Sequence, residues 1–238
     1  MAAMFRSLKT LILGFVSLGL SACASTLPPT DTIFNASMPQ SLLVATGRFY
    51  QVRQMYSAYW FRPVDLANGQ FSGPPIAVVF GNEKSNQGDE LRQIGRTRDM
   101  HRTYFAVKPM PPGDYALIGQ IDENTGTGPY HAIVSICYGY HAPVFRLRAG
   151  EISIVDAYRG QPTLPTNVLP GQLSSDAVLA DFARLRASYP NIQGNPDTLS
   201  PPVAIIQWSI DSPNFFDYLG HDLLASCARP TSFSVVSN

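Results

Sequence analysis

The sequence predicts an all-β protein: an antiparallel β-sandwich followed by one C-terminal helix and an irregular tail. Three observations carry this. Short aromatic and apolar runs recur between clusters of Gly, Pro and Asn. Within Phe105–Ile121 the side chains alternate with a period of two. Only one stretch, after Ser174, places apolar residues at helical spacing.

The strand pattern starts near Leu42. Tyr56–Val64 is aromatic and β-favouring, and Pro63 is expected to end it. Ile76–Phe80 is an apolar run after Pro74-Pro75. Thr103–Val107 and Asp114–Ile121 flank Pro109-Met110-Pro111-Pro112-Gly113. Phe105 and Val107 fall on one face of the first of these strands, Tyr104 and Ala106 on the other. The prolines cannot donate to a ladder, so a hairpin-like corner is expected there, with Gly113 easing the turn. Tyr130–Tyr138, Val144–Leu147 and Ile152–Tyr158 complete the strands. The last two form a half-buried ribbon turning at Gly150, with Arg146, Arg148, Ser153 and Asp156 as its polar members.

Gly160–Leu173 is a loop rich in Pro and Gly. Ser174 or Ser175 can cap the helix, Asp176 suits its first turn, and Pro190 stops it after Tyr189. Val203–Ser209 reads as a late strand or a core-packing segment. No clear pattern follows Pro213, and no repeat of fixed period is present.

The N-terminus has a different composition. Arg6 and Lys9 precede the apolar run Leu11–Leu20, which is too short to span a bilayer in a folded protein. Small residues Ser21 and Ala22 then lead to Cys23. This is the anatomy of an export signal, and Leu20-Ser21-Ala22-Cys23 resembles the lipobox of bacterial lipoproteins. The resemblance implies cleavage before Cys23, lipidation of its sulfur and attachment to a membrane. Ala24, where many inner-membrane lipoproteins carry Asp, resembles the outer-membrane-directed type, facing the periplasm. The expected organisation is thus a signal peptide (1–22), a lipidated tether (23–41) rich in Pro, Ser and Thr, a sandwich domain (42–160), and a loop, helix and C-terminal extension (161–238) packed on the sandwich.

Composition narrows the function. The chain has 238 residues, 45% of them hydrophobic, enough for a sizeable core. Its 17 Lys plus Arg match 17 Asp plus Glu, and loss of Arg6 and Lys9 with the signal leaves two excess acids. No basic cluster favours nucleic acid, which is not expected as a partner. There are three cysteines. If Cys23 carries lipid, Cys137 and Cys227 are left in an oxidising compartment and are candidates for one disulfide, typically contributing roughly 2–4 kcal/mol.

A second resemblance rests on turns. Phe105-Ala106-Val107-Lys108-Pro109-Met110-Pro111-Pro112-Gly113-Asp114-Tyr115-Ala116-Leu117 and Arg148-Ala149-Gly150-Glu151-Ile152-Ser153-Ile154, with a helix ending at Tyr189-Pro190, are similar to a group of bacterial lipoproteins with small prealbumin-like (transthyretin-like) β-sandwich domains. The resemblance covers residues 50–195 and implies a fold. It brings no catalytic residue with it.

Candidate chemistry is sparse. No His-Glu-x-x-His, Cys/His cluster or Gly-x-Ser-x-Gly motif occurs. His131 and His141 bracket Cys137, which makes Cys137 the sharpest candidate nucleophile of an alternative reading, an envelope hydrolase using Cys137 or a serine. A bond to Cys227 would exclude that role. Asp122-Glu123-Asn124 before Thr125-Gly126-Thr127-Gly128 reads as a polar hairpin loop. Gly81–Arg102 is a long charged loop whose Arg92, Arg96, Arg98 and Arg102 are candidates for meeting an acidic or carbohydrate partner, although interleaved acids favour self-pairing. The aromatic group Phe49, Tyr50, Tyr56, Tyr59, Trp60 and Phe61 could serve a carbohydrate-binding face, but pairing in a core explains it more simply. No catalytic residue, metal or cofactor is therefore expected. The expected function is that of a membrane-anchored envelope protein acting as a non-enzymatic binding or assembly module toward an envelope protein partner.

Overall fold

The computed structural model describes residues 33–47, 56–80, 103–124, 132–157, 174–187, 189–194, 196–209, 227 and 229–236. They form strands β1 (Ser41–Gly47), β2 (Tyr56–Asp65), β3 (Gln70–Phe71), β4 (Ile76–Phe80), β5 (Tyr104–Met110), β6 (Gly113–Asn124), β7 (Ala132–Cys137), β8 (Ala142–Leu147), β9 (Ile152–Val155), β10 (Ala204–Gln207) and β11 (Ser234–Val235), with one helix, α1 (Ser175–Ala187). The all-β class with a single helix is what the sequence predicts.

The strands make two sheets. The small sheet has the order β5-β1-β9, and the large one the order β11-β10-β8-β6-β2-β3, with β4 also on β2 and β7 on β6. All pairings are antiparallel except that of β1 with β9. The parallel pair sits in a well-covered part of the sheet. Every residue of β1 is buried, as expected where both faces of a sheet are covered.

Those two faces meet different layers. Leu43 and Ala45 join the core against the large sheet, with Tyr59, Phe61, Leu117 and Phe145. Leu42 and Val44 join a second core with Phe105, Val107, Ile154 and the α1 residues Val178 and Phe182. The molecule is a sandwich with a helical third layer. Phe105 and Val107 share one face of β5 and Ala106 takes the other, as their alternation requires. The Phe105 and Phe182 rings meet edge-to-face at 5.6 Å.

α1 begins where its cap dictates. Ser174 Oγ accepts from the Ala177 N–H at 3.2 Å, and the Ser174 carbonyl accepts from Val178. Asp181, buried on the inner face, accepts the Thr103 N–H at 2.9 Å and an ion pair from Arg184. The helix thereby holds the start of β5.

Several sequence expectations change in detail. Pro109 does not end β5, which runs to Met110 on the sheet's edge, where a missing N–H costs no ladder bond. Pro111-Pro112 make no hairpin: β5 lies in the small sheet and β6 in the large one, so the corner carries the chain between layers. The turn at Gly150 does the same between β8 and β9. Pro63 lies inside β2. Its carbonyl accepts from Ser72, so its nitrogen faces away from β6 and the β2–β6 ladder is intact. Asp122, Glu123 and Asn124 belong to the end of β6, not to a hairpin loop. The expected tether is also packed in its last third. Phe34 is only 2% exposed, bridges Ile192, and exchanges backbone bonds with Asn191 and Gln193.

The irregular tail is ordered pairing in its described part. Phe71 donates to the Thr231 carbonyl and Phe233 to the Gly69 carbonyl, while Ser234 and Val235 pair with β10. Residues 231–236 therefore join the two ends of the large sheet, β3 and β10, and the sheet curls closed. Phe71, Phe233 and Trp208 pack edge-to-face at the seam. The buried Arg62 guanidinium stacks 4.2 Å over Phe71 and donates to the Gly73 and Pro230 carbonyls. Cys137 and Cys227 form the predicted disulfide, fixing the same tail to β7.

That crosslink closes a loop of 90 residues, for which loop entropy sets a scale of about 4–5 kcal/mol. Reduction, or Cys227→Ser, is expected to lower the unfolding free energy by about 2–5 kcal/mol, read from urea denaturation with and without dithiothreitol. Gly150 has φ +72°, and an added Cβ would lie 2.2 Å from the Ala36 carbonyl oxygen. Gly150→Ala is expected to cost about 1–3 kcal/mol in the same assay.

Candidate functional site

Most of the charged side chains described lie at the surface. Two of them, Arg146 and Arg148, project from the end of β8 and the turn that follows, because alternate residues of a strand share a face. Arg146 donates to both Asp114 oxygens, at 2.8 and 2.9 Å, from the neighbouring strand β6. This pairing raises the Arg146 pKa above its ordinary value, through the hydrogen bond first and the charge second. Arg148 is looser: its ion pair with Glu151 spans 3.6 Å and its side chain is 67% exposed.

The two arginines stand at the mouth of an open cleft of about 520 Å³. One wall is the turn and the start of β9, from Gly150 to Ser153. The other is the irregular segment Gly194–Val203, with Asp197, Thr198 and Ser200 facing in. The second wall is tied down at several points. Arg186 of α1 bonds the Gly194 carbonyl, Ser200 donates to the Ile154 carbonyl at 2.8 Å, and Val203 donates to that of Val144 at 2.7 Å. Val203 stays 46% exposed at the rim.

The backbone of β9 gives this cleft its character. Leu42 donates to the Glu151 carbonyl, so the odd-numbered residues of β9 face β1 and the even-numbered ones face outward. Ile154 uses its outward carbonyl on Ser200. Ile152 turns its N–H and carbonyl toward the cleft. The opposite edge of the small sheet is guarded differently. There Pro109 interrupts the row of donors, and Lys108 reaches across to the Ala77 carbonyl of β4 at 2.8 Å. Burial lowers the Lys108 pKa from its usual value.

The sequence-predicted candidates fall as follows. Cys137 and Cys227 are joined, so the Cys137 thiol is not free to act as a nucleophile. Tyr59 and Phe61 are fully buried and Trp60 packs against the same core, so these three serve the core and not a sugar platform, while Phe49 and Tyr50 lie outside the described residues. His141 is exposed in the turn before β8. Among the described residues no group of His, Cys, Asp or Glu could hold a metal ion, and no helix is long and apolar enough to cross a membrane. Cys23 and Arg92, Arg96, Arg98 and Arg102 lie outside the described residues, as do His101, His131 and His221.

The cleft itself is not marked in the sequence as a site. Its only local signal is the pair of arginines two apart beside a Gly turn. The far wall is contributed by a Pro-rich stretch more than 40 residues later. No protein-family model matches the chain, and no curated protein or solved structure matches it either. Fold and cleft together define a helix-backed β-sandwich with an open groove along one sheet edge, lined by both apolar and charged residues.

Because the guanidinium of Arg148 is exposed and loosely paired, Arg148→Ala is expected to leave the urea midpoint unchanged within error. Equilibrium unfolding checks this and qualifies the variant as a clean probe of the cleft.

Proposed function

We propose that the chain is a lipid-anchored protein of the bacterial cell envelope, held to a membrane through Cys23, and that it is a non-enzymatic binding or assembly module for another envelope component. The observation that carries this reading is the Cys137–Cys227 bond. It suits an oxidising, exported compartment. It also uses two of the three cysteines, leaving Cys23, at the end of the export signal, as the one available for lipid. The lipobox resemblance and Ala24 favour the outer membrane, facing the periplasm. The turn motifs similar to prealbumin-like lipoproteins agree with this family of reading.

A binding role is favoured over catalysis by the form of the cleft. It is open, its lining mixes apolar and polar surface, and Arg146 and Arg148 are held in ion pairs of unequal closeness. An enzyme gains most from an enclosed, water-excluding site where fixed dipoles act strongly. An open groove along a sheet edge suits recognition of a larger partner.

Two measurements test the reading. Cys23→Ser is expected to lose the mass of the acyl chains and to move from the membrane fraction to the aqueous one. A variant that stays membrane-bound and unmodified in mass relative to the parent would overturn the anchor. A photo-crosslinking amino acid placed at Val203 on the rim is expected to trap a discrete envelope protein in intact cells. A blank, with the same group trapping nothing from the cleft, would remove the binding role.

A further inference from the structure

The outer edge of β9 is a sheet edge left open inside a groove. A strand edge presents unpaired N–H and carbonyl groups, and proteins ordinarily blunt such edges with Pro, Lys or a covering segment. The β5 edge of the same sheet has both a proline and a lysine. The β9 edge has neither. Among the described residues it is covered only at Ile154, by Ser200. From there back to Glu151 it runs for three residue steps, about 10 Å at strand spacing, with the cleft beside it.

We propose that this groove binds an extended peptide segment of a partner protein by strand addition to β9, with an acidic group of that segment on Arg148. The inference rests on the binding role proposed above and names the chemistry of the partner. The peptide backbone would accept from the Ile152 N–H and donate to its carbonyl, extending the order β5-β1-β9 by one strand. Main-chain bonds of this kind supply affinity without demanding a sequence, and side-chain contacts supply the choice. Here the choice is set by charge. Arg146 spends its Nε and one terminal nitrogen on Asp114. Arg148 holds Glu151 only at 3.6 Å, beyond good hydrogen-bond length. Its planar fork is free to take a carboxylate in a bidentate pair. Thr198 and Ser200 offer hydroxyls on the facing wall.

The test is an amide NMR titration of the whole mature chain with the pentapeptide Thr-Val-Thr-Val-Asp, carrying a free terminal carboxylate, up to millimolar concentration. Saturable shifts are expected at Ile152, Ser153 and Ser200. Arg148→Glu is expected to weaken binding at least tenfold while leaving the rest of the spectrum in place. Methylating alternate backbone nitrogens of the peptide is expected to abolish the response, and this control leaves the protein untouched. Ile152→Pro removes the outward donor without removing a bond to β1 and is expected to match it.

Three results would overturn the proposal: no shift at β9, equal binding of the methylated peptide, or an equal response to an N-acetylglucosamine tetramer. Crosslinking at Val203 separates this from the broader reading. Adducts in cells together with a blank titration would sink strand addition and leave the binding module standing, whereas a blank in both would remove both.

Discussion

Burial of β1 on both faces is the constraint on which the rest of the molecule depends. Its seven residues leave nothing for solvent, so each face needs its own cover. The large sheet covers one side through Leu43 and Ala45, and α1 with Phe34 and Ile192 covers the other through Leu42 and Val44. Burying a Leu or Val side chain contributes about 1.5–3 kcal/mol, so neither layer can leave without heavy loss. The helix is thus part of the fold and not an appendage. The connection at Gly150 sets the direction of β9 beside β1. A chain that has crossed from the large sheet at Gly150 arrives beside Gln40, and the Gly150 N–H bonds the Gln40 carbonyl there.

Much of this architecture was legible in the residues, because hydrophobic alternation reports which face of an element is buried. It assigned Phe105 and Val107 to one side of β5 and Ala106 to the other. The 3.6-residue spacing after Ser174 located α1, and two cysteines left over once Cys23 was set aside for its resemblance to a lipobox pointed to Cys137–Cys227. What alternation does not report is the partner. Pro111-Pro112-Gly113 marks a reversal whether the next strand pairs in the same sheet or crosses to the other, and here it crosses. β3 and β11 are two residues each, too short for any period. They exist because Gly69, Phe71, Thr231 and Phe233 find one another in the folded chain.

The cleft was illegible for a related reason. One wall is a strand edge, and an edge is a property of a sheet, not of a sequence. Arg146 and Arg148 read correctly as exposed polar positions, but the expected ribbon with Ser153 and Asp156 does not form: β8 and β9 lie in different sheets and Ser153 is buried. Nothing local indicates that Asp197, Thr198 and Ser200 lie opposite them. Only the tertiary bonds from Ser200 to Ile154 and from Val203 to Val144 bring the second wall into place.

The closure of the large sheet by residues 231–236 also sets an order of events. Arg62 and the Pro230 carbonyl it holds are 168 residues apart. A chain delivered from its N-terminus presents β2 and β3 well before this closing segment. Until then the exposed ladders of β3 and β10 have no covering strand, and long-range pairing is slow to form in any case. A newly made chain therefore passes through a period in which both ends of its sheet can capture a neighbour. Arrival of residues 231–236 ends that vulnerability, and the bond at Cys227 makes the closure covalent.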